Sequence, residues 1–304
     1  MIITLEVKGV TKKFVDTVAV DNLSFSVKSG EVLGIIGQNG AGKSTTFKMI
    51  LNLLKPDHGT ITFDGQQLDE KILDHIGFLP EERGLYLDMK VKEQVLYFAS
   101  LHGFSTQQAA KDLPSWLNKL AVKGNENSLI KNLSKGNQQK IQLITTLIHR
   151  PKLVILDEPF SGLDPVNTNL LINVIKELKQ AGTAIIFSSH NMKNVSEVSD
   201  QLLMIVNGQQ KLYGSINEIK GHFEKQKVYL EGVFSDLPPE KLAGVVQIEN
   251  DYPGKIITFA SENEARLAID HAKQYSSLQG YRLLPPSLDD IFQQIINEEV
   301  KDHE

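Results

Sequence analysis

Residues 32–45 read Val32-Leu33-Gly34-Ile35-Ile36-Gly37-Gln38-Asn39-Gly40-Ala41-Gly42-Lys43-Ser44-Thr45. The apolar run at their head predicts a buried strand, and Gly37 to Ser44 fits the spacing G-x-x-x-x-G-K-[ST] at every fixed position. Glycines let such a loop curl so that its backbone N–H groups face inward. A helix opening near Lys43 points the positive end of its dipole at the same place. The nest suits a triphosphate: Lys43 neutralises the β- and γ-phosphates, the Ser44 hydroxyl ligates Mg²⁺, and Thr45 adds a phosphate hydrogen bond. A plain glycine-rich turn would not need all of these residues in this setting.

Outward from the loop, strand-like and helical runs alternate over residues 3–213, which predicts an α/β domain with a mainly parallel sheet. Buried strands are expected at residues 31–36, 153–157, 183–188 and 202–206, with a crossover helix from Pro165 to about residue 179. Lys152-Leu153-Val154-Ile155-Leu156-Asp157-Glu158-Pro159 is an apolar strand that ends in two carboxylates. A pair at that place lies at the carboxyl edge of the sheet, where α/β sheets bind ligands. Asp157 is expected to hold Mg²⁺ and Glu158 to polarise an attacking water. Acidic residues also end strands because turns are polar, and it is the upstream phosphate loop that favours the catalytic reading.

Ser161-Gly162-Leu163-Asp164 follows at once, and Asp164 serves as a nucleotide-side residue, as a cap for the helix at Pro165, or as both. Ala184-Ile185-Ile186-Phe187-Ser188-Ser189-His190 brings a histidine to the same sheet edge, within reach of a γ-phosphate and its water. Asn132-Leu133-Ser134-Lys135-Gly136-Asn137-Gln138-Gln139-Lys140 is a second helix N-terminus, with Ser134 and Gly136 able to donate to an anion. By itself it also fits an ordinary capped helix.

In this order and at about these separations the motifs resemble the nucleotide-binding subunit of ATP-binding-cassette (ABC) transporters. The resemblance covers about residues 3–213. It implies a P-loop NTPase fold of the ABC type with a helical subdomain, at about residues 88–150 within a domain of residues 1–214. It also implies ATP and Mg²⁺ as cofactors, and a head-to-tail pair of cassettes. Each ATP then lies between the phosphate loop of one copy and Ser134 and Gly136 of the other. Phe14 matches the family position that stacks on adenine; a core phenylalanine is the alternative.

Two departures stand out. Lys135 and Asn137 occupy positions that in the family are most often glycine and glutamine. Gly77-Phe78-Leu79-Pro80 is followed by Glu81 where the family usually has a glutamine that ligates Mg²⁺. A carboxylate replaces an amide oxygen as a ligand but adds negative charge beside a triphosphate. The wording around Glu81 and the tail Leu284-Pro285-Pro286-Ser287-Leu288 resemble bacterial sodium-efflux-type exporter ATPases with a small C-terminal domain.

The rest of the chain agrees with these expectations. At 304 residues it has room for one large domain and a smaller one. The second is expected as an α+β domain of residues 225–304 in an accessory or regulatory role. Its strands are predicted at residues 227–234, 245–250 and 255–260, and its helices at 262–275 and 287–299. Residues 91–125 read as helical, with Val95, Leu96, Phe98, Ala99, Trp116, Leu117 and Leu120 at apolar positions.

A net charge of −5 gives no field that draws the molecule to nucleic acid. The absence of cysteine excludes thiolate zinc sites and cysteine nucleophiles. The N-terminus alternates like a strand rather than forming a signal-peptide core. No run reaches the roughly 18 apolar residues of a membrane span, so any membrane role must come from a separate chain, and the resemblance implies a transmembrane permease as partner beside a second cassette. That places the chain on the cytoplasmic face of the membrane as a peripheral ATPase that energises export. The alternative, a soluble ABC ATPase acting on nucleic acid or the ribosome, is usually marked by tandem cassettes, a coiled-coil insertion or a basic face.

Overall fold

The computed structural model describes residues 3–82 and 84–302 of the chain, which separate into two compact units after Ser215. The strands of the first unit are β1 Ile3–Phe14, β2 Thr17–Lys28, β3 Val32–Ile36, β4 His58–Phe63, β5 Gln66–Gln67, β6 Ile76–Leu79, β7 Leu153–Leu156, β8 Ala184–Ser188, β9 Gln201–Val206 and β10 Gln209–Ser215. They form one sheet in the order β5-β4-β1-β2-β10-β9-β3-β8-β7-β6. From β9 through β3, β8 and β7 to β6 every neighbour is parallel. Every residue of β3, β7 and β8 is buried, the pattern of strands covered on both faces. β1, β2, β4 and β5 pair antiparallel.

The helices of this unit are α1 Lys43–Ile50, α2 Glu70–Leu73, α3 Val91–Leu101, α4 Thr106–Lys119, α5 Lys135–Leu147, α6 Pro165–Gln180 and α7 Met192–Val198. α6 is the expected crossover from β7 to β8. Pro165 opens it, the Asp164 side chain caps it, and Leu171, Ile172, Val174 and Ile175 form its buried stripe. In the helical segment Val95, Ala99 and Leu120 are buried as expected. Leu96, Phe98, Trp116 and Leu117 are only half-buried, and the buried places go instead to Leu113 and Gln94. Gln94 Oε1 takes the Tyr86 N–H at 2.8 Å, while its buried Nε2 has no hydrogen-bond partner among the described residues.

The end of α5 leads into a second polar burial. His149 is 6% exposed, stacks flat on His102 with ring centroids 3.9 Å apart, and finds no hydrogen-bond partner for either ring nitrogen among the described residues. The Ile76 backbone faces it outside hydrogen-bond geometry and only weakly opposes the loss of proton affinity. Burial first, and the stacked His102 second, hold the His149 pKa down at about 4. Burial likewise lowers that of His102.

The second unit contains α8 Ile216–Gly221, β11 Lys227–Glu231, β12 Val245–Asp251, β13 Gly254–Phe259, α9 Glu262–Ala272, β14 Gly280–Leu284 and α10 Leu288–Asp302. Its strands form an antiparallel sheet in the order β12-β13-β11-β14. Ala265, Ala268, Ile269 and Ala272 of α9 share a core with Val228, Leu230, Ile257 and Phe259. β11 ends at Glu231 rather than running to residue 234. Gly232 takes φ 81°, and a Cβ there would come within 2.5 Å of the Ser277 carbonyl oxygen.

Linkage gives the histidine pair a measurable sign. Neutral His149 stabilises the fold fully above the unfolded-state value near 6.5, and this contribution declines as pH falls toward about 4, because the unfolded chain takes up the proton first. In urea titrations from neutral pH downward, the midpoint of His149→Leu is expected to fall less steeply than that of the unaltered chain.

Candidate functional site

The loop after β3 is held open by glycines that nothing larger replaces. A Cβ on Gly37 would lie 2.4 Å from the Ile205 carbonyl oxygen, and one on Gly42 equally close to that of Ala19. Gly42 is the N-cap of α1 in the left-handed region, at φ 107°. Gly40, at φ 82°, has open space around it. Lys43 is 8% exposed, and its Nζ donates to the carbonyls of Gly37 at 2.7 Å and Gln38 at 3.2 Å. An ammonium has three N–H donors, so one is left for a phosphate oxygen.

Across the sheet edge, the register sets Leu156 opposite Phe187 and brings the residues that follow side by side. Ser188 Oγ donates to Asp157 Oδ1 at 2.6 Å and accepts the Glu158 N–H at 2.8 Å. Ser44 Oγ donates to the other carboxylate oxygen, Asp157 Oδ2, at 3.3 Å. Glu158 has a left-handed backbone at φ 47°, a conformation that persists in a non-glycine residue only when its surroundings enforce it. Its Oε2 lies 2.9 Å from His190 Nδ1.

One cavity of about 370 Å³ is lined by Asn39, Gly40, Ala41, Gly42, Lys43, Ser44, Thr45, Glu81, Asp157, Glu158 and His190. Gly37 and Gln38 do not line it and act through the carbonyls that hold Lys43. Ser134 and Gly136 border a different cavity, of about 580 Å³, with Asn137, Lys140 and Asp164. Asp164 is a cap in fact: its two oxygens take the backbone and side-chain N–H groups of Asn167, each at 2.8 Å. Phe14 ends β1 at 45% exposure, so it is not a core residue, and it lies outside the first cavity's lining.

The residues present fit Mg²⁺ bound together with a phosphate chain. Among the described residues no group of three or more acidic or histidine side chains is placed to hold a metal alone. Mg²⁺ is ordinarily held by one or two carboxylates plus substrate phosphates, and the Ser44 hydroxyl, the Asp157 carboxylate and Glu81 supply hard oxygens along one cavity wall. The residue not singled out from sequence is Ser188. Its only signal there is that it follows an apolar strand, two residues before His190.

Comparison with known proteins agrees with this geometry. The profile of the family described as ABC transporter matches residues 20–161. An uncharacterized ABC transporter ATP-binding protein of Bacillus subtilis, YhaQ, is 40% identical over 288 residues, which are 95% of this chain and 97% of that protein.

The chain belongs to the ABC transporter ATP-binding protein family.

The cassette is also 29% identical over 307 residues to the Nod factor export ATP-binding protein I of Sinorhizobium fredii, covering 99% of this chain and 88% of that one. Its structure is similar to that of an ATP-binding subunit of an ABC transporter, with TM-score 0.69 and 31% identity over 72% of this chain and 93% of the other. No helix among the described residues is long and apolar enough to cross a membrane. Because Ser188 links the Asp157 carboxylate to the Glu158 backbone N–H, Ser188→Ala is expected to lower ATPase turnover roughly tenfold to a hundredfold with little change in ATP affinity. Steady-state kinetics check this, and Ser188→Thr should retain most of the activity.

Proposed function

We propose that this chain binds and hydrolyses ATP to energise export through a separate transmembrane permease, working as a pair of cassettes on the cytoplasmic face of the membrane. The single cavity that gathers the phosphate loop, both strand-end carboxylates and His190 carries this proposal. Loop amides and Lys43 bind and orient the β- and γ-phosphates. Glu158 accepts a hydrogen bond from the attacking water, and His190, hydrogen-bonded to Glu158, steadies the water and the γ-phosphate. Ser44, Asp157 and Glu81 would hold Mg²⁺, which when bound would supply charge neutralisation on the phosphate oxygens. Ser188 keeps the acidic pair fixed. Phe14 offers its exposed ring to the adenine.

The second cavity supports pairing. Ser134 and Gly136 stand on the same unit as the phosphate loop but border a cavity that shares no lining residue with the first. Two copies set head to tail bring one kind of cavity against the other and close over each ATP. A groove of about 350 Å³, lined by Leu53, Phe78, Pro80, Phe98 and His149 among others, is an apolar seat for the permease. Export accords with the Sinorhizobium relative, a Nod factor export ATP-binding protein. The C-terminal unit is assigned an accessory role.

Glu158→Gln is expected to keep ATP binding, abolish turnover and trap an ATP-bound pair, read by light scattering with ATP and Mg²⁺; full residual hydrolysis would refute Glu158 as the base. Glu81→Ala is expected to weaken Mg²⁺ affinity and steady-state ATPase roughly tenfold. Unchanged values in the presence of the permease would remove Glu81 from the metal site.

A further inference from the structure

Asn137 stands where the family most often has glutamine, and its side chain is tied at both ends. It is 8% exposed, and its Oδ1 accepts the Lys123 backbone N–H at 2.9 Å. That partner can only donate, so the amide has one orientation, which leaves Nδ2 to donate to Ser134 Oγ at 2.9 Å. The Asn137 backbone N–H points at the same oxygen, at 3.4 Å. A hydroxyl oxygen has two lone pairs and one proton. Both acceptor positions of Ser134 are thus used by Asn137, and among the described residues no acceptor takes the proton. Ser134 is exposed and borders the second cavity.

We infer that Asn137 is a positioning residue that makes Ser134 an obligate donor, directing its O–H into the second cavity toward the terminal phosphate of a nucleotide held by another copy of the chain. This rests on the proposed pairing of two copies over ATP. The inference concerns the direction of one proton, which a residue needed only for packing would not control. Aspartate at 137 reverses it and also adds a negative charge to the cavity lining, so the loss that counts is the part that disappears when Ser134 is already alanine. The two side chains are isosteric, and aspartate still accepts from Lys123. Its other oxygen accepts instead of donating, so the Ser134 proton turns back toward residue 137 and away from the cavity.

The test uses the full chain carrying Glu158→Gln, with ATP and Mg²⁺ and self-association followed by sedimentation. Asn137→Asp and Ser134→Ala are each expected to weaken ATP-driven pairing by about tenfold. The two losses should not add in the double variant, which removes the serine proton and leaves only the effect of the aspartate's charge. Uptake of a fluorescent ATP analogue by the unpaired chain should not change. Full-strength pairing by Asn137→Asp, or a double variant in which the two losses add, overturns the inference. If Asn137→Asp does not fold, Asn137→Ala is compared with and without Ser134→Ala under the same criterion. Failure of the underlying pairing looks different: Ser134→Ala, or the parent itself, then shows no ATP-dependent change, and both proposals fall together.

Discussion

The parallel pairing of β7 with β8 is the constraint from which the site follows. Backbone hydrogen bonds fix Leu156 against Phe187, and Ile35 of β3 lies opposite Ser188. A slip of one residue would turn every side chain to the other face, burying Glu158 among apolar groups and pulling Ser188 away from Asp157. The register is secured by the polar residues at the strand ends, since a slip would separate Ser188 from Asp157 and from the Glu158 N–H and leave buried polar groups without partners. The phosphate loop is anchored in the same frame, since Gly37 continues β3 and approaches the Ile205 carbonyl too closely for any side chain.

Some of this was legible in sequence because local chemistry and global fold demand the same residues. Apolar β-branched runs gave the central strands to within a residue or two, and Asp164-Pro165 marked the start of α6 by its cap and its fixed φ. The chemistry of the phosphate loop was legible because only glycine meets its backbone demands. Side chains settled by tertiary contacts were less so. Nothing local distinguishes Ser188 from Ser189, yet the first is fully buried between two carboxylate-bearing residues and the second caps the chain's exit toward α7 by accepting the Asn191 N–H. The helical segment shows the same limit. Helical spacing identified a buried stripe, but whether Leu96 or Gln94 lies deepest depends on Tyr86, which is remote from helix periodicity. β14 was not anticipated, because exposed Tyr281 and Arg282 interrupt the apolar signal of a strand that is held by β11.

The acidic edge combines strain with support. Glu158 adopts a backbone conformation that costs about 1–3 kcal/mol in a non-glycine residue, and the Ser188 hydroxyl, itself fixed by Asp157, receives its N–H. That hydrogen bond helps hold the turn in this conformation, and with it the side chain to which the proposed reaction assigns the attacking water.

The cavity at the phosphate loop and the cavity beside Ser134 share no lining residue, and under the proposed pairing this sets how activity scales with abundance. Under the proposed pairing an isolated molecule owns two half-sites and no whole one. On that reading dilute chains would consume ATP in proportion to the square of their number, and bringing copies together two by two would raise turnover without any change in a single molecule.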